Sequence, residues 1–139
     1  MKQKNRLLAV LVFSLVALVQ CSGGSGSSPT PCASPTLVAA GAWCITITAT
    51  NNTCATGVGL PYGATFTQSG SNLSATANGG VYTGTICGNT AVLSGNNFGY
   101  TTTVNFTFSD TGHANGTTNY QNNSCSGTDT FTAASGACP

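Results

Sequence analysis

The stretch YTTTVNFTF, Tyr100–Phe108, reads as one half-buried antiparallel strand and sets the fold class. Tyr100, Thr102, Val104, Phe106 and Phe108 fall on one face, and Thr101, Thr103, Asn105 and Thr107 on the other. A period of two is the side-chain geometry of a strand with one face in a core and the other in water. Upstream, Trp43, Ile45, Ile47 and Ala49 alternate with Cys44, Thr46, Thr48 and Thr50 in the same way. Beyond the amino-terminal apolar segment, no apolar face recurs at helical spacing.

Turn signals punctuate the chain at Ser69-Gly70, Asn78-Gly79-Gly80, Gly88-Asn89, Gly95-Asn96-Asn97 and Asp110-Thr111-Gly112. Asn and Gly accept the positive φ that tight hairpins require. Strands are therefore predicted near 42–50, 64–68, 72–77, 81–87, 90–94, 99–108, 113–120 and 126–133. About eight short strands at roughly ten-residue spacing predict an all-β domain, either a small antiparallel up-and-down barrel or a sandwich. Consecutive hairpins favour the barrel, whose closure also removes exposed edges. The predicted inward set is Trp43, Ile45, Ile47, Phe66, Leu73, Val104, Phe106 and Phe131. Such a set is bulky enough to fill an eight-stranded barrel, so no bound cofactor is expected.

Charge narrows the function classes. The chain has three basic residues, Lys2, Lys4 and Arg6, and two acids, Asp110 and Asp129, with His113 the single histidine. All the bases precede Leu7, so the remainder cannot form a basic patch and nucleic acid is excluded as a partner. The folded surface must be covered by Thr, Asn, Ser and Gly, soluble through hydrogen bonding rather than charge.

Lys2, Lys4 and Arg6 followed by the uncharged run Leu7–Val19 form the pattern of an export signal. Thirteen helical residues reach only about 20 Å, short of a roughly 30 Å hydrocarbon core. The end of that run, Leu18-Val19-Gln20-Cys21, resembles the lipobox of bacterial lipoproteins. The resemblance implies cleavage before Cys21, a lipid on its thiol, and a place in the bacterial cell envelope, at the outer membrane or cell surface. Cleavage after Gly23 or Gly24 instead would give a secreted protein. The expected organisation is a signal peptide over 1–20, a lipid-attachment cysteine with a Gly/Ser/Pro tether over 21–36, and a β domain over 37–139.

Setting Cys21 aside, the seven cysteines leave Cys32, Cys44, Cys54, Cys87, Cys125 and Cys138. An even set in an exported chain reads as a disulfide framework, with fifteen pairings open for six cysteines. None sits in a CxxC or beside histidines at zinc spacing, and no metal site is predicted.

Gly41-Ala42-Trp43, opening the first strand, resembles the G-x-W start shared by lipocalins and avidin-like barrels, which make up the calycin-type folds. YTGTICGN and VNFTFSDTGHANGT are similar in style to the hairpins of such barrels. The resemblance implies the barrel architecture and, on the lipocalin side, carriage of a small apolar ligand. It assigns no ligand-binding residue.

Candidate chemistry is sparse. Asp110 and His113 are three apart, but Asp110 sits in SDTG, a routine turn setting, and no nucleophile elbow GxSxG is present. Asp129 reads as a surface or barrel-rim residue. A metal site at Asp110, His113 and Asp129 would require the fold to bring them together. TITAT, Thr46–Thr50, places three threonines on one predicted strand face, although without the repeats an ice-binding surface needs. Tyr62, Tyr82, Tyr100 and Tyr120 are residues able to stack on and hydrogen-bond to carbohydrate or another envelope protein, and they are the predicted surface-binding set. The expected function is a non-catalytic, exported binding or structural module with no catalytic residues. The alternatives are a lipocalin-like carrier or, behind it, a hydrolase.

Overall fold

The computed structural model describes residues 32–54 and 59–139. The predicted signal segment, Cys21 and most of the predicted tether lie outside the described residues. Tyr100–Phe108 is a strand as its alternation predicts, with Thr102, Val104, Phe106 and Phe108 buried. In chain order the strands are β1 Gly41–Asn52, β2 Tyr62–Ser69, β3 Asn72–Ala77, β4 Gly80–Cys87, β5 Thr90–Asn97, β6 Tyr100–Phe108, β7 His113–Gln121 and β8 Ser126–Ser135. Each pairs antiparallel with the next, and β8 returns to pair with β1, so the sheet closes into an eight-stranded barrel rather than a sandwich. Closure gives every strand a partner on both sides, although β1 pairs with β2 only over Gly41–Ile45.

All eight predicted inward residues are buried, joined by Ile86, Leu93, Phe108 and several alanines. The aromatic rings run through the interior as a contact chain. Trp43 meets Phe66 and Phe108 edge-on at 6.0 and 5.6 Å, and Phe106 meets Phe66 at 5.3 Å and Phe131 at 5.0 Å. Edge-to-face pairs of this kind add about 0.5–1.5 kcal/mol each beyond burial.

One expectation fails within β1. Its register against β8 shifts between Ile47 and Ala49, so that Ile47 lies opposite Phe131 and Ala49 opposite Thr130. The extra residue is a β-bulge, which reverses the facing of everything after it. Ala49 is consequently exposed rather than on the face of Trp43, Ile45 and Ile47 that its alternation predicts, and Thr50 shares a face with Asp129. The TITAT row is broken by the same shift, because Thr46 and Thr48 face out while Thr50 faces in. On the outer wall, the Thr48 and Thr130 hydroxyls lie 3.1 Å apart.

The two ends of the barrel differ. At the base, where β1 begins, the segment before Gly41 folds across the opening. Ala39 is fully buried, and its carbonyl accepts a hydrogen bond from Trp43 Nε1 at 2.8 Å. Its own N–H donates to Gln68 Oε1 at 2.7 Å. Residues 32–36, which the sequence assigns to the end of the tether, are bound to the barrel by the Cys32–Cys87 disulfide and by two backbone bonds with Gly88. Cys44–Cys138 ties β1 to the carboxy-terminal segment at the same end. The third disulfide, Cys54–Cys125, lies at the opposite end, the mouth. The six cysteines thus form three bridges, two at the base and one at the mouth.

Candidate functional site

The mouth takes its side chains from the ends of strands that are distant in sequence. Tyr62 opens β2, Tyr82 is near the start of β4, Tyr100 opens β6, and Tyr120 is next to last in β7. Alternation puts all four on the inward face of their strands, and antiparallel up-and-down order puts that part of each strand at one end. Every tyrosine of the chain therefore lines a single opening of about 530 Å³, where each is half-buried. This volume is within the usual range for small-molecule sites. The sequence predicts these residues as a surface set; the structure turns them into the barrel's entrance.

Glycines make room for the rings. Gly95 lies opposite Tyr82 and Gly127 opposite Tyr120. A Cβ on Gly95 would come within 2.9 Å of the Tyr82 ring, and one on Gly127 within 2.5 Å of the Tyr120 ring and hydroxyl. Tyr100 and Tyr120 meet at right angles, 85° with centroids 5.9 Å apart, and form a corner of the opening. Tyr100 Oη is 3.6 Å from Cys125 Sγ, so the mouth disulfide supports that corner. On the other side, Asn97 Nδ2 donates to Tyr82 Oη at 3.2 Å and to the Asn78 carbonyl at 3.3 Å.

Asp129 brings the one negative charge to this end. It is half-buried, and Tyr120 Oη donates to its Oδ1 at 3.3 Å. Its influence crosses the lumen. The Tyr62 phenol is pushed up to about 12, chiefly by burial and then by Tyr82 and the Asp129 carboxylate. Below the mouth, an apolar throat of about 60 Å³ is bordered by Ala64, Ala75, Ala77 and Leu93.

The rim carries two apolar residues that sequence reasoning passed over, Leu60 at 88% exposure and Phe98 at 83%. Phe98 has φ +49 and Gly99 φ +81, so both central residues of the β5–β6 hairpin are left-handed. The neighbouring β3–β4 hairpin has the same signs, with Asn78 at +49 and Gly79 at +77. Asn-Gly suits such a turn, whereas a bulky aromatic residue at positive φ is a rare choice. Just outside the mouth, a polar groove of about 520 Å³ runs along the outer wall among Asn51, Thr101, Thr103, Asn119 and Thr128.

The other candidate residues lie elsewhere. Asp110 and His113 meet at 3.0 Å in the exposed β6–β7 turn at the base. Asp110 Oδ1 also accepts from the Gly112 N–H at 2.6 Å, and this bond, helped by His113, holds the carboxyl below its usual range. His113 pairs with Ala134, whereas Asp129 pairs with Thr118, about five residues or roughly 16 Å along the barrel. Asp110 and His113 are thus not brought together with Asp129. Among the described residues no cluster of three or more His, Cys, Asp or Glu side chains is placed to hold a metal ion. Comparison of the chain with protein families, curated proteins and solved structures finds no match.

Proposed function

We propose that this protein is an exported, lipid-anchored binding module that works by contact rather than by chemistry, with the tyrosine-lined mouth as its contact end. The observation that carries the reading is the convergence of all four tyrosines, from four strands, on one opening of about 530 Å³. Rings that only filled the core would be buried inside the barrel, as Phe66, Phe106, Phe108 and Phe131 are. Half-buried phenols and amides at an open end offer many adaptable contacts, and anchoring raises their effective concentration near a membrane-bound or matrix partner. The role is assigned to binding because Ser and Thr need an activating base to become nucleophiles, and the mouth has no histidine. Disulfides accord with an oxidising compartment outside the cytoplasm. The lipocalin-like reading, an apolar ligand carried inside, is less favoured because the throat offers only about 60 Å³.

Native mass spectrometry of the protein isolated from its own host tests both halves of the proposal. The expected spectrum carries a lipid on Cys21 and a non-covalent mass that is lost in a Tyr82→Ala/Tyr120→Ala variant. Cys21→Ser should move the protein from the membrane fraction to the soluble exported fraction. Unchanged fractionation of Cys21→Ser would overturn the anchor. A retained mass that survives loss of both tyrosines would move the contact end elsewhere.

A further inference from the structure

The mouth pairs aromatic faces with a carboxylate that has no counter-charge among the described residues. Lys2, Lys4 and Arg6 are the chain's only Lys and Arg residues, and all lie outside the described part. His113 is at the base, at the far end of β7 from Tyr120. Among the described residues, then, nothing basic faces Asp129, and its side-chain hydrogen bond comes from a neutral phenol. A half-buried carboxylate without a cation loses hydration and gains no Coulomb energy in return. The interior could have been closed with another alanine or threonine at this position, as it is at Ala133 and Thr102.

Around that charge the rings are arranged as walls. Tyr100 and Tyr120 meet at 85°, and Tyr62 and Tyr82 line the opposite side of the same opening. The face of a tyrosine ring is electron-rich and attracts a cation, and a desolvated site strengthens that attraction to about 2 kcal/mol or more. The throat beneath, bordered mainly by apolar side chains such as Ala64, Ala75, Ala77 and Leu93 with Thr102 and Thr118 among them, offers methyl groups an apolar seat. A neutral sugar would use the ring faces and the amides, yet it would leave the carboxylate uncompensated. An inorganic cation would use the carboxylate and leave the rings and the throat idle. We propose that the mouth binds an organic cation, a methylated ammonium group seated among the four tyrosines and held by Asp129. This rests on the reading of the mouth as the contact end, and it names the ligand class for that same site.

Such a group occurs on free small molecules, on lipid headgroups and on methylated lysine side chains, so the test separates these sources. The disulfide-intact protein is titrated by calorimetry and by amide NMR with choline, phosphocholine and a trimethyllysine peptide. The control is 3,3-dimethylbutanol, a neutral molecule of nearly the same shape as choline. Choline should shift the resonances of Tyr62, Tyr82, Tyr120 and Asp129 and bind at least ten-fold more tightly than the neutral control. Phosphocholine should bind more weakly than choline if the source is a free amine, because no base awaits its phosphate. The peptide should be the tightest of the three if a protein side chain is the source. Asp129→Asn should lower choline affinity at least ten-fold and leave the neutral control unchanged, since its amide keeps the shape and loses the charge. Equal affinity for choline and the neutral control would overturn the proposal. Shifts produced by neutral oligosaccharides but not by choline would also overturn it while leaving the mouth as the contact end. Silence of the mouth towards every probe, together with a host-derived ligand that survives Tyr82→Ala/Tyr120→Ala, would remove both readings.

Discussion

Thr50 Oγ1 is buried with no hydrogen-bond partner among the described residues, beside the Asp129 carboxylate in the β1–β8 register. An unmade bond of this kind costs about 1–3 kcal/mol, so Thr50→Val should raise the unfolding free energy by about 1 kcal/mol in urea titrations. A loss of stability would mean that the hydroxyl is satisfied in solution. Tyr62 gives a second check, by alkaline titration. Its folded pKa of about 12 lies above the ordinary tyrosine value near 10. The protonated phenol is thus favoured by folding. Stability linked to Tyr62 is complete below pH about 10 and falls as pH rises from there towards 12. Tyr62→Phe should flatten that fall, and an unchanged alkaline profile would place the ring in a wetter site than its burial implies. At this scale the sequence is informative about kinds of residue. Alternation identifies the eight inward residues, and composition offers the tyrosines as binding candidates. The standing of Asp129 depends on what is absent around it in space, which a one-dimensional pattern does not record.

The elements follow the hydrophobic period and most of the turn residues, because in an up-and-down barrel each strand pairs with its sequence neighbours; the turn signal at Gly95-Asn96-Asn97 is the exception, since those residues are paired strand within β5. Two departures show where that logic stops. The bulge in β1 is a property of two strands together: Ala49 and Thr50 continue a regular alternation, and only their pairing with Thr130 and Asp129 reveals the slip. The hairpin at Phe98-Gly99 hides in the same way, because φ +49 at a phenylalanine contradicts the residue's own preference. Its twin at Asn78-Gly79 shows what local chemistry alone would choose. Phe98→Asn should therefore stabilise the barrel by about 1 kcal/mol, read as a rise in melting temperature. The same variant should bind the mouth's ligand more weakly, since it removes an aromatic side chain held out at the rim. Higher stability with undiminished binding would show that the strain serves no contact.

At the scale of the whole molecule, closure and cross-linking share the task of stabilising a small domain. Cys54–Cys125 bridges residues 71 apart and supports the Tyr100–Tyr120 corner. Replacing both cysteines by serine should cost about 2–5 kcal/mol and weaken binding at the mouth, measured by denaturation and by choline titration. Affinity unchanged in a folded variant would separate the corner from its bridge. The sequence supplies the even set of cysteines, but which ones meet is settled only when the barrel rolls up. That rolling up has an order. Seven of the eight strand pairings join consecutive strands, while the eighth joins β1 to β8, and Cys44 waits for Cys138 across 94 residues. A chain threaded through an export channel from its amino terminus delivers β8 last. Until then β1 has an open edge able to pair with another molecule, and a hairpin-by-hairpin assembly cannot protect it. On the export route proposed above, the tertiary structure would be completed only after translocation is nearly finished. A chain cut short before Ser126 would then remain a sticky, unclosed ribbon, however well its first seven strands had paired.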